Sequence, residues 1–274
     1  MRVPGRRLQI CARARRRRAG THVGLLVSAL ALILPGAALG SPTVIARGEA
    51  VPIPGFPHTG DILGAGAAVH AEVKISGTEY GGFPPPLIGI TVDLPTGVRI
   101  DTADFPTCPR GVILEEREPR LCPKGSSAGP GGEAHGVVAF GGERVPESVS
   151  ISAFLAPGGG LEFLAVGHTP VSLEIPAAGL LRQRGPAGFG PQFSGTIPLI
   201  ETVPGAPDAS VEAIDITLGT AIRKHGKTYY YGRVPKRCPS GGFRVRSEFM
   251  FAEPGDLSKA ETVTVPFRAP CPRK

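Results

Sequence analysis

Three of the five cysteines open a Cys-Pro-x-Gly tetrapeptide: "CPRG" at Cys108, "CPKG" at Cys122 and "CPSG" at Cys238. Cysteines hold metals, run redox exchange or close disulfides, and their spacing separates these chemistries. A zinc site calls for close pairs such as C-x2-C with a second pair or histidines behind. A dithiol redox site calls for C-x-x-C. Neither spacing occurs in this chain, so the sequence points to no metal and no cofactor. In Cys-Pro-x-Gly the proline presets the second position of a turn and glycine suits the fourth. The residue before proline is pushed into an extended conformation. Each of these cysteines is therefore expected at the end of a strand, where the chain bends. Of the three ways to join Cys108, Cys122, Cys238 and Cys271, pairing of sequence neighbours is the simplest, and the expectation is Cys108–Cys122 and Cys238–Cys271.

Other residues with chemical potential are weaker. "HGKT" at His225–Thr228 has the tail of a phosphate loop, but Ala221 stands where the first glycine is required. The run "YYYG" that follows reads as strand, whereas a phosphate loop must lead into a helix. The stretch is expected to be a hairpin turn. Tyr229, Tyr230 and Tyr231 lie among Arg223, Lys227 and further basic residues. Such a patch suits a glycan or an anionic polymer, although strand alternation sends either Tyr230 or both its neighbours into a core. Glu115, Glu116 and Glu118 cluster near Arg117 and Arg120, and Asp101 and Asp104 precede them. A glycosidase needs two carboxylates facing across a sugar, and no spacing here enforces that. The histidines at 58, 70, 135, 168 and 225 are scattered singly, with no H-E-x-x-H.

The first 40 residues have a separate purpose. Residues 1–22 carry eight arginines and no acid, residues 23–34 are almost wholly apolar, and Pro35 is followed by "GAALG". That order is a secretory signal, with Ala38 and Gly40 at the small-residue positions read by a peptidase and cleavage expected after Gly40. The alternative is an uncleaved segment that anchors the protein in a membrane, although the run only approaches the ~20 apolar residues a span requires. No Cys follows the cleavage point, which argues against a lipid anchor. Without the leader the chain has 22 basic and 23 acidic residues. The basic character belongs to the leader, and no electrostatic case for nucleic acid remains. An even set of four cysteines outside the cytoplasm fits two disulfides and a secreted or envelope-associated protein.

These residues must be positioned by short strands. Residues 41–60, with prolines at 42, 52, 54 and 57, read as an extended lead-in. From residue 61 to 274, period-two runs alternate with turns: "VHAEVKI" (69–75), "LIGITVDL" (87–94), "EAHGVVAF" (133–140), "SVSISAF" (148–154) and "LEFLAV" (161–166). "VSLEI" (171–175), "FSGTIPLI" (193–200), "VEAIDITL" (211–218), a hairpin around His225-Gly226, "FRVRSEFMF" (243–251) and "ETVTVPF" (261–267) follow. "LAPGGG" between the strands ending at Phe154 and beginning at Leu161 is a good hairpin loop. No helical stripe reaches 11 residues, because proline and glycine recur too often. The fold class expected is all-β, an Ig-like or jelly-roll-type antiparallel sandwich with almost no helix, as one domain or as two abutting sub-sandwiches.

The segments "FPPPLIGITVDLPTGV" (83–98), "FPTCPRG" (105–111), "LCPKGSSAG" (121–129), "FGGERVPE" (140–147), "APGGGLEF" (156–163), "VPGAP" (203–207) and "YYGRVPKRCPSGGF" (230–243) together resemble a group of uncharacterised secreted proteins from high-GC soil bacteria. The likeness covers most of residues 80–274. It implies an extracellular β-rich domain and carries over no catalytic residue.

Two functions follow as expectations. The first is an exported, non-enzymatic β-sandwich with a structural, adhesive or ligand-binding role, its partner a cell-envelope glycan or another extracellular protein. The alternative is an extracellular hydrolase of a polysaccharide or other polymer, with acids drawn from Glu115–Glu118 or from Asp101 and Asp104.

Overall fold

The computed structural model describes residues 40–56, 62–140, 143–168, 172–200, 208–253 and 256–272. Ala38 and the rest of the leader before Gly40, together with His58, lie outside the described residues. The period-two runs become strands: β1 (Thr43–Val51), β2 (Ala68–Ser76), β3 (Leu87–Asp93) and the short β4 (Arg99–Ile100). After a five-residue helix α1 (Arg110–Leu114) come β5 (Gly131–Phe140), β6 (Glu143–Leu155), β7 (Leu161–Gly167), β8 (Leu173–Arg182) and β9 (Gln192–Thr196). Strands β10 (Ser210–Leu218), β11 (Ala221–Lys224), β12 (Lys227–Tyr230), β13 (Gly232–Arg233), β14 (Phe243–Glu253) and β15 (Asp256–Ala269) complete the chain. The all-β expectation holds.

Eleven of these strands form one antiparallel sheet in the order β1-β2-β10-β5-β6-β7-β8-β9-β3-β14-β15. Two small ribbons, β11-β12 and β13-β4, lie outside it. The eleven strands make a single continuous sheet. Its inner face is apolar, and a sheet hides such a face only by folding onto itself. Val44 and Ala46 of β1, Ile75 of β2, Leu87 of β3, and Phe249 and Phe251 of β14 meet in one buried cluster, with Val265 and Phe267 of β15 packed against it. Each large side chain so buried contributes about 1.5–3 kcal/mol. The two outermost strands, β1 and β15, thereby come side by side, and a Cβ on Gly48 would stand only 3.6 Å from the Phe267 ring.

Residues 43–51 correct the expected lead-in. They pair with β2 along their whole length, Thr43 opposite Ser76 and Val51 opposite Ala68. Pro42 and Pro52 bracket nine proline-free residues, among which Val44, Ala46, Gly48 and Ala50 share a face. Even Ile53, beyond the strand, is buried beside Ala68 and Ala221. The prolines limit an edge strand and do not prevent one. Val69 is another departure: period two assigns it to the core, yet it is 45% exposed at the start of β2.

The internal prolines stand where a missing N–H costs least. Pro176 of β8 lies opposite Leu164 of β7, outside the Ala178–Arg182 stretch that β9 covers. The strand thus runs past Pro176, beyond its expected end at Ile175. Among the described residues, Pro146 of β6 is paired on one side alone, with Val137 of β5, and β7 joins β6 from Val149 onward. Pro266 lies on the outermost strand β15.

Both expected disulfides are present, Cys108–Cys122 and Cys238–Cys271. The first holds the loop carrying α1 against β7, where Cys108, Ile113 and Leu164 form a buried cluster with Val112, Phe154 and Val166 around it. The second joins the loop before β14 to the residues after β15. Between β3 and β14 lies a buried ion pair. Asp93, only 1% exposed, accepts from Arg246 Nε at 2.7 Å and from Gln192 Nε2 at 2.8 Å. Its partners face it directly across the strands on either side. Phe189 covers the guanidinium of Arg246 at 5.2 Å.

Two outcomes follow for chemical denaturation. Replacing Cys108 and Cys122 together by serine opens a loop of 14-residue separation and is expected to cost about 3 kcal/mol. Arg246→Ala strands Asp93 as a buried, unpaired carboxylate and is expected to cost about 3–5 kcal/mol.

Candidate functional site

Once the sheet is rolled, the residues that alternate with the core line its outer face. On β2 these are His70, Glu72 and Lys74, and on β5 they include Glu133 and His135. Strand β10 runs between β2 and β5 and places Asp215 directly opposite Glu72 on one side and Glu133 on the other. Three carboxylates thus stand abreast on adjacent strands. Arg47 of β1 faces Glu72 from the far side.

The two histidines attach to this row in different ways. His70 Nδ1 lies 3.2 Å from Thr217 Oγ1 and 3.6 Å from an Asp215 oxygen, while its Nε2 lies 3.4 Å from Glu72 Oε1. His135 Nδ1 turns away toward Ser148 Oγ at 2.9 Å, and its Nε2 is 3.4 Å from Glu133. His70, Glu72 and Asp215 each offer a ligand atom within 4.8 Å of the others, and no other trio of metal-ligand residue types does so among the described residues. Side-chain exposure is 26% for His70, 47% for Glu72 and 52% for Asp215. The group is open to solvent yet anchored on rigid strands. Shallow depressions flank it, one bordered by Arg47, Glu49 and His70, the other by Glu133, Ser150 and His168.

The tyrosine patch is differently placed. Tyr231 is buried and packs edge-on to Phe105 at 5.7 Å. Burial pushes its hydroxyl pKa up to about 12. Tyr229 packs against the same cluster, while Tyr230 packs against Ile53 and Ala221. Tyr230 lies so close over Gly66 that a Cβ there would meet its ring at 1.9 Å. All three rings are therefore part of the packing. Arg223 stacks on Phe56 at 5.4 Å, and Lys227 is exposed on the β11-β12 hairpin. That hairpin turns at His225 and Gly226, both with positive φ, and continues as strand.

The acids named for a hydrolase are spread over turns and local pairs. Glu115 and Glu116 are exposed at the end of α1. Glu118 pairs with Arg120 at 3.6 Å, and Asp101 accepts from the Ala103 N–H at 3.2 Å. The Asp104 carbonyl accepts from Lys224. What the sequence reading missed is the trio on β2 and β10. Its local signals were His-x-Glu at 70–72 and Glu-x-His at 133–135, spacings that put both side chains on one face of a strand. Their neighbourhood to Asp215 has no local signal.

One further acid is deeply buried. Glu162 of β7 is 1% exposed, and neither of its oxygens has a hydrogen-bond partner among the described residues. It lies on the β7 face that carries Leu164 and the α1 loop. Burial raises its pKa above the ordinary carboxylate value, and the charge of Arg110 opposes that rise.

No family model, curated protein or solved structure matches the chain.

The Glu162 shift has a definite sign. A folded-state pKa above the unfolded value means that the native state binds more protons between the two. Stability is therefore greater below the ordinary carboxylate pKa and declines as pH rises through the folded value. Glu162→Gln is expected to flatten that decline and to be more stable than the parent at neutral pH. Denaturation midpoints measured from acid to neutral pH would show it, and parallel curves for the two proteins would contradict it.

Proposed function

We propose that this chain is an exported, disulfide-stapled β-sandwich that works by binding a glycan of the cell envelope at the polar outer face of β1, β2, β10, β5 and β6. The supporting observation is the row Glu72–Asp215–Glu133, three carboxylates opposite one another on an open sheet face. Carboxylates accept charge-assisted hydrogen bonds from hydroxyl groups, and those bonds are about twice as strong as neutral ones. A sheet face holds them in fixed lateral register, so successive sugars can be met by successive strands. Export is supported by the leader, by the two disulfides and by the resemblance to secreted β-rich proteins. No helix among the described residues is long and apolar enough to cross a membrane.

A hydrolase remains the second reading because carboxylates do converge, though at Glu72 and Asp215, with ligand oxygens within 4.8 Å, and not at Glu115–Glu118. Retaining glycosidases place their carboxyl groups about 5–5.5 Å apart.

A glycan array probed with the parent and with the Glu72→Gln/Asp215→Asn double variant separates the two. Binding to envelope polysaccharides, reduced at least about tenfold in the variant and unaccompanied by release of reducing ends, is the expected result. Release of reducing ends that the double variant abolishes would replace binding by hydrolysis. Binding lost on changing Lys227 and Arg223, but not on changing the row, would move the site to the β11-β12 hairpin.

A further inference from the structure

We propose that His70, Glu72 and Asp215 form a site for one divalent cation of the zinc class. The inference deepens the binding reading above, because it concerns the same face, and it departs from the sequence expectation of no metal. Three observations converge on it.

The first is electrostatic. Like charges directly opposite one another on neighbouring strands are destabilising, and here three carboxylates lie in one lateral row. Among the described residues, every ion pair these three acids make runs to a histidine: Glu72 and Asp215 to His70, and Glu133 to His135. Arg47 stands opposite Glu72 at one end and leaves Asp215, in the middle, without a permanent cation. A bound divalent ion supplies what is missing where it is missing.

The second observation is geometric. Two ligands of a tetrahedral zinc, with bonds of about 2.0 Å, stand about 3.3 Å apart. His70 Nε2 and Glu72 Oε1 are 3.4 Å apart, which already matches one edge of such a tetrahedron. All three ligand atoms fall within 4.8 Å of one another; the Asp215 oxygen lies nearest Nδ1, at 3.6 Å, so closing on an ion at Nε2 asks its carboxylate to swing along the ring edge toward Glu72.

The third is the orientation of the ring. Metal-bound histidines almost always have their other nitrogen engaged by a neighbouring polar group, which fixes the ring and its tautomer. Thr217 Oγ1 lies 3.2 Å from His70 Nδ1 and performs that role, leaving Nε2 on the side of Glu72. His135 is held in the same way, its Nδ1 2.9 Å from Ser148 Oγ and its Nε2 3.4 Å from Glu133. Among the described residues only His70 has two carboxylates within reach, and that selects the β2 side of Asp215 over the β5 side.

The ligand set also selects the ion. One imidazole and two carboxylates suit zinc and its borderline neighbours, whereas calcium requires six to eight oxygens. Three protein ligands leave the remaining position to water.

The experiment is a zinc titration of the full chain, with disulfides intact, no histidine tag and prior treatment with EDTA, read by calorimetry and by competition with a chromophoric indicator. One equivalent per chain is expected, unaffected by excess calcium. Removing an outer-shell partner typically costs 10- to 100-fold in affinity. Thr217→Val is therefore expected to weaken binding about tenfold, and His70→Ala, Glu72→Gln and Asp215→Asn at least as much. Glu133→Gln and His135→Ala are expected to change it less than about threefold. Circular dichroism checks each fold, and should His70→Ala unfold, the isosteric Glu72→Gln and Asp215→Asn still decide. No binding, binding that survives Asp215→Asn, or binding that follows His135 would each overturn the proposal. Since no glycan is present, a failed titration leaves the glycan reading standing, and a negative glycan array leaves the metal site standing.

Discussion

Phe249 and Phe251 are almost completely removed from water, and a single sheet achieves that only by curling until its own inner face covers them. Everything else in the protein depends on that closure. It sets β1 beside β15 and turns the charged positions of β2, β10 and β5 outward together. It also leaves the loop between β4 and β5 to be held down by other means. The hydrophobic term is nondirectional, so the closure needs further devices to be unique.

Those devices are polar and covalent. Asp93, Arg246 and Gln192 lock three adjacent strands in register, because a one-residue slip of β14 or β9 would strand a buried carboxylate. A buried ion pair is a weak source of net stability but a strong penalty on its own disruption. The Cys108–Cys122 bridge holds α1 over the outer side of β7, where Ile113 and Leu164 meet. Its burden is visible in Glu162, which the same covering loop removes from solvent without supplying a hydrogen bond. Such an uncompensated acid is tolerable in a protein whose loop is covalently tied.

The outer face carries the opposite arrangement. Its acids are exposed, so each is cheap to hold in water alone. Their adjacency is what makes them distinctive, for three carboxylates abreast repel one another. A surface selected only for solubility would intersperse the two signs of charge. The row is thus a feature of this molecule that packing of the core does not explain, and the proposed binding role rests on it.

Much of this architecture was legible in the sequence. Period two is a local property, so the longer strands β2, β3, β5 to β10, β14 and β15 and the His225-Gly226 hairpin could be read directly, whereas the two-residue strands β4 and β13 are too short to alternate. Pairing of sequence neighbours gave both bridges, but the cysteines before proline lie in loops and not at the strand ends expected of them: Cys108 precedes α1, Cys122 follows the short turn Pro119–Leu121, and Cys238 lies between β13 and β14. Strand β1 was not legible because the prolines at 42, 52 and 54 that surround its nine alternating residues are strand breakers, and only its pairing with β2 makes it an edge strand. The helix α1, at five residues, is too short for any periodic signal. What only the tertiary structure decided is which strands are neighbours. Asp215 lies between Glu72 and Glu133 because β10 inserts between β2 and β5, and contacts such as His70 to Thr217 span 147 residues. Pairing is set by collective burial of the whole inner face, a global quantity, whereas alternation is written residue by residue.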